Sequence, residues 1–166
     1  MNVMKKVLLS AVFLFLGIFS LSAQEFSGFL NIYVGDSSES VEAKLLEDGW
    51  QKQEMFKDII EYYKEGAELY GFPIACMDVK FNQGKLAMMT LYFNVKEENG
   101  VTDFNTLRDK AVYNNGYVLT KETGSFDDSN YHSTYIKRRK MLVINNTTMT
   151  DINFLISVSD IDLLLN

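Results

Sequence analysis

Residues 74–95 leave the backbone little choice. Ile74–Phe81 alternates, with Ala75, Met77, Val79 and Phe81 on one face and Ile74, Cys76, Asp78 and Lys80 on the other. Asn82-Gln83-Gly84-Lys85 supplies the reversal, because Gly84 can take positive φ without a Cβ clash. Leu86–Val95 returns as a strand apolar on both faces, the pattern of a strand at the middle of a sheet with one side covered by helix. A chain organised round such a hairpin is an antiparallel-sheet protein. The flanking segments say what covers the sheet.

Two helices qualify. Asp36 or Ser37 can accept a backbone N–H at an N-cap, Glu39 sets negative charge on the positive end, and Val41, Leu45 and Leu46 form the apolar stripe. Gly49 stands where a left-handed residue ends a helix, and Trp50 can fold back onto the stripe. The second helix is capped by Thr102 or Asp103, buries Phe104, Leu107, Ala111 and Val112, and closes at Asn114-Asn115-Gly116.

The rest reads as strands and turns. Phe26–Val34 is a short strand or extended lead-in. Residues 51–64 admit two readings: Met55, Phe56, Ile59, Ile60 and Tyr63 have helical spacing, whereas Ile59–Lys64 suits the strand expected in a meander. Tyr117–Thr123, Tyr131–Ile136, Met141–Ile144 and Ile152–Val158 follow as strands. Between them lie loops at Gly124–Asn130 and Asn145–Thr150, the turn Lys137–Lys140, and a docked apolar tail, Asp160–Asn166. Residues 36–96 and 102–160 therefore repeat one plan, a capped helix followed by strands, with Gly49-Trp50 and Gly116-Tyr117 in equivalent places. The expected fold is α+β: two helix-plus-meander units forming one antiparallel sheet with both helices on one face.

The N-terminus carries an address. Met1–Lys6 has two lysines and no acid, Val7–Leu21 is an apolar run, and Leu21-Ser22-Ala23 offers a small residue before a cut. Val7–Leu21 would span about 22 Å as a helix, short of a bilayer core of about 30 Å. Residues 1–23 are thus expected to be a removable signal peptide rather than a stable membrane span, leaving 24–166 as a single exported domain in the periplasm or outside the cell. The balance of 16 basic against 22 acidic residues becomes more acidic once Lys5 and Lys6 leave. Nucleic acid is not the expected partner, since binding it needs a basic footprint. Cys76 is the sole cysteine, so no internal disulfide holds the fold and packing must do so.

Gly35-Asp36-Ser37 leading into Val41–Leu46, the Gly49-Trp50 exit, Phe104–Leu107 and the closing strand Phe154–Asp160 together carry a resemblance. The chain resembles small exported proteins of Gram-negative gut bacteria, mostly of unknown function. Those proteins are similar to tandem helix-plus-meander domains of the beta-lactamase inhibitor protein type. The resemblance implies a fold and a protein-binding habit without naming a partner.

Chemistry is sparse. His132 has no metal-spaced companion, and no nucleophile elbow, phosphate loop or Cys-x-x-Cys is present, so no cofactor and no metal are expected. A Cys76–His132 nucleophile is formally available, and Asp127-Asp128 and Asp160/Asp162 supply carboxylates; a small exported hydrolase is the enzyme reading. A structural envelope protein pairing through a sheet edge is another. The first expectation is a non-enzymatic binding domain contacting a protein or envelope component through an open sheet face. Its proposed contacts are Tyr131 and Tyr135, alternating with Ser133 on a tyrosine-rich surface, and the basic tip Lys137, Arg138, Arg139 and Lys140.

Overall fold

The computed structural model describes residues 28–56, 58–94, 100–124, 131–149 and 152–165. In chain order these form β1 (Gly28–Phe29), β2 (Ile32–Tyr33), α1 (Ser38–Glu47), β3 (Gln51–Phe56), β4 (Ile59–Tyr63), β5 (Glu68–Leu69), β6 (Phe72–Asn82) and β7 (Lys85–Phe93). They continue with α2 (Gly100–Ala111), a 3-10 turn at Tyr113–Asn115, β8 (Val118–Thr123), β9 (His132–Lys137), β10 (Lys140–Met149), β11 (Ile152–Asp160) and α3 (Ile161–Leu165). Residues 1–27, where a signal peptide is expected, and residues 95–99 and 125–130, where loops are expected, lie outside the described residues.

One antiparallel sheet dominates an α+β molecule. Its strands run in the order β3-β4-β6-β7-β11-β10-β9-β8, with β5 paired to β6. The 74–95 hairpin forms as expected, pairing Val79 with Met89 and Met77 with Leu91, and turning through Gln83 and Gly84 at positive φ. Strand β7 then pairs with β11, which aligns Phe93 with Phe154 and Ile156 with Leu91. Phe93 and Phe154 stack, ring centroids 4.9 Å apart.

Helix α1 is built as its residues dictate. Ser37 Oγ accepts the Ser40 N–H at 3.3 Å, Glu39 occupies the first turn, and Gly49 leaves the helix at φ +87°. The Trp50 N–H then reaches back to the Leu45 carbonyl at 2.9 Å, which lets the indole fold into the core. Lys44 ties this helix to the lead-in through Asp36 at 2.8 Å.

Burial alternates along much of β6, β10 and β11, whereas β7 is buried at Met89, Thr90 and Leu91 in succession. Met77 and Val79, Met89 and Leu91, Ile156 and Val158, and Leu142 and Ile144 are sealed on one side of the sheet. Val41 and Leu45 of α1 and Leu107 and Ala111 of α2 join them in one buried cluster. Of the residues between them in sequence, Asp78, Val143 and Ser157 are half-buried, while Thr90 is buried as well.

Several expectations need correction. Of the two readings of residues 51–64 the strand is the one found, β4 falling on the expected Ile59–Lys64 and β3 adding a strand before it, with Phe56 opposite Ile59. Residues 145–149 are not loop, because β10 runs through to Met149 against β11. Helix α2 starts at Gly100, so Thr102 and Asp103 lie inside its first turn rather than at its cap. The lead-in is not one strand but the small hairpin β1–β2, turned by Leu30 and Asn31 at positive φ. The C-terminal tail is a short helix, held by Asn82 Nδ2 donating to the Leu163 carbonyl at 2.7 Å.

Both sheet edges are irregular. The β3–β4 ladder slips between Lys52 and Met55, and the β8–β9 ladder slips between Leu119 and Lys121. Such bulges twist an edge away from a further strand.

Candidate binding surface

Tyr131 and Tyr135 do not line the open surface. Strand β10 pairs Leu142 with Tyr135 and Ile144 with Ser133, and β11 pairs Val158 with Leu142 and Ile156 with Ile144. That register places Tyr135, fully buried, on the core side of the sheet. Tyr113 meets the Tyr135 ring edge-on at 6.2 Å. Tyr131 is buried too, and its hydroxyl donates to Glu122 Oε1 at 2.9 Å. What β9 offers to the open side is His132, Thr134 and Ile136.

The basic tip is largely tied into the body. Lys137 Nζ donates to the Asn115 carbonyl at 2.8 Å, and Lys140 Nζ meets Asp160 Oδ2 at 2.5 Å. Arg139 pairs with Asp162, and Arg138 turns the hairpin at φ +54°. Asp160 at the end of β11 and Asp162 in α3 thus answer two of the four positive charges that stood out in the sequence, Lys140 and Arg139. Burial opposes ionisation of Asp160, but Lys140, the Leu163 N–H and Arg139 together hold its carboxyl below the usual range.

Cys76 and His132 share the open side without meeting. The cross-strand row reads Cys76, Tyr92, Leu155, Asn145, His132. Four strand spacings separate thiol from imidazole, about 19 Å at ~4.8 Å each. The thiol is pushed up to about 12 by burial and then by the negative charges of Glu61 and Asp78, so it is not a thiolate at neutral pH. His132 is occupied structurally: Nδ1 contacts Asn145 Oδ1 and Nε2 lies 3.0 Å from Thr134 Oγ1. A neutral ring protonated on Nδ1 satisfies both.

The open side runs from Phe56 on β3, 71% exposed, to Val118 on β8, 66% exposed. Half-buried Met88, Tyr92, Leu155, Met141 and Val143 span the middle, interleaved with Thr90 and Ser157. At the β3 end a cavity of about 160 Å³ is lined by Phe56, Ile59, Glu61 and Asp78. Glu61 stands directly opposite Asp78, a like-charged cross-strand pair. Burial pushes the Asp78 carboxyl up, partly countered by the Tyr92 hydroxyl, which donates to Oδ2 at 2.8 Å. These two carboxylates escaped the sequence reading. The alternation put Asp78 on the polar face of its strand, but only the β4–β6 register brings Glu61 to it.

A shallower groove of about 420 Å³ between the β1–β2 turn and α1 is lined by Leu30, Asn31, Lys44, Glu47 and Asp48. Its lysine is spent on Asp36 and the Asn31 carbonyl, and Asp48 bonds Trp50 Nε1 and Lys64. Among the described residues no three His, Cys, Asp or Glu side chains converge as a metal site. Nor is any described helix long and apolar enough to cross a membrane. No family model, curated protein or solved structure matches this chain.

Proposed function

We propose that this chain is an exported, non-enzymatic binding domain that contacts a protein or envelope component through the open side of its sheet. One observation carries the reading. Burial alternates along much of β6, β10 and β11, and one side of the sheet belongs to the core while the other leaves methionine, tyrosine, leucine and valine half-buried among hydroxyls. That mixture of adaptable apolar area and hydrogen-bonding groups suits a protein contact.

The finer architecture we infer is a doubled unit. Helix α1 with β3-β4-β6-β7 and α2 with β8-β9-β10-β11 meet at the β7–β11 ladder, so the strand order reads outward symmetrically from that pair. Gly49 and Gly116, β3 and β8, and Thr90 and Ser157 all stand at one constant offset in sequence. Both helices then lie on the core side, which is why the other side stays open. The N-terminal leader supports export to the periplasm or exterior of a Gram-negative cell.

Two other readings are less well supported. A hydrolase built on Cys76 and His132 lacks the approach its chemistry requires. A structural protein growing by edge pairing would need smooth edges, and both edge strands are bulged. The test is site-specific photo-crosslinking in the native envelope, from Val143 or Leu155 on the open side and from Glu39 or Lys110 on the helices. Adducts confined to the open-side probes are expected. Adducts from the helical probes alone would refute the reading.

A further inference from the structure

Building on that reading of the open side, we propose that the cavity at its β3 end receives one lysine or arginine side chain of the protein partner. The layout suits a chain with an apolar stem and a cationic head. Phe56 faces Ile59 across β3–β4, and Glu61, two residues along β4, faces Asp78 across β4–β6. An apolar pair and an acidic pair thus stand about 6.6 Å apart along one strand. Lysine and arginine bury their methylenes on apolar surface while the charge reaches a polar partner. The cavity, about 160 Å³, has the room of one such side chain.

The walls present groups that an occupant of this kind would engage. Phe56 exposes most of its ring at the rim, where it offers both a hydrophobic surface and a face for a cation. Opposed carboxylates on neighbouring strands destabilise a ladder, and a planar guanidinium between them reverses the sign of that interaction. Tyr92 pins one Asp78 oxygen at 2.8 Å, so the carboxylate is oriented in advance. The neighbouring cation, Lys80, is directed to Asp58 at 3.4 Å.

The probe is N-acetyl-arginine N-methylamide, titrated into the 15N-labelled mature chain, with the citrulline analogue as the uncharged isostere. Saturable shifts at Phe56, Ile59, Glu61 and Asp78 are expected, at least tenfold weaker for citrulline. Asp78→Asn and Glu61→Gln should each weaken arginine binding by tenfold or more, and the surface variant Phe56→Ala by several-fold. Shifts centred elsewhere, equal response to citrulline, no saturable response, or indifference to these substitutions would each overturn the proposal. Open-side crosslinks that persist in Asp78→Asn would leave the binding-domain reading intact while this cavity assignment falls.

Discussion

Thr90 Oγ1 donates to Ser157 Oγ at 3.0 Å across the β7–β11 ladder, at the middle of the sheet. Thr90 is almost fully buried, on the side otherwise left open. Hydroxyls at this depth must find a partner, since a desolvated donor left alone costs about 1–3 kcal/mol.

Thr90→Val and Ser157→Ala are each expected to destabilise the domain by about 1 kcal/mol in urea denaturation. The double variant should cost clearly less than the sum, because it removes both halves of one bond. Strict additivity would mean that the bond contributes nothing at this ladder.

Acid should loosen the C-terminal helix first. The Asp160 carboxyl is held below its ordinary range in the folded chain, so its contribution is fully present above the unfolded value of about 3.9 and fades as pH falls through the folded one. Stability followed from pH 7 down to pH 2 should drop below about pH 4. Asp160→Asn should flatten that limb, and an unchanged slope would refute the assignment.

Asp78 predicts the reverse sign. Its folded carboxyl is raised, so the folded state favours the protonated form, and the associated stability is lost as pH rises through the folded value. Asp78→Asn, which keeps an acceptor for Tyr92, should be as stable as the parent at pH 7 or more so. A loss of several kcal/mol on denaturation would show that the carboxylate is structural. A site that trades stability for recognition gives this profile.

Tyr135 offers a fourth check. Its hydroxyl lies near those of Ser133 and Tyr131, yet neither Tyr135 Oη nor Ser133 Oγ has a well-formed hydrogen bond among the described residues. Tyr135→Phe should therefore be neutral or stabilising by up to about 1 kcal/mol, whereas Tyr135→Ala should cost about 3–5 kcal/mol through the cavity left behind. Thermal melts of both variants separate the hydroxyl from the ring.

The sequence disclosed those features whose causes are local. Ser37, Gly49 and Gly84 act through their own backbone neighbourhood, and the helix and hairpin they define are where the residues put them. Strand β3 was hidden because Gln51-Lys52-Gln53 has no apolar period; an exposed edge needs none. The misplaced tyrosines show a different limit. In β9, Tyr135 and Ser133 alternate with His132, Thr134 and Ile136, and either set makes a plausible inner face. Only pairing with Leu142 and Ile144, residues on another strand, decides between them. The ion pair at the basic tip was hidden for the same reason, since Asp160 meets Lys140 only through the β10–β11 register.

The kinked margins of the sheet carry a consequence for how this chain meets other polypeptides while it folds. Passing segments with unsatisfied amides find no straight template along Gln51–Phe56 or Val118–Thr123, so encounters with other unfolded polypeptides should end without fibre growth. A molecule whose single cysteine allows no internal disulfide can then accumulate at high concentration without its sheet margins recruiting further strands.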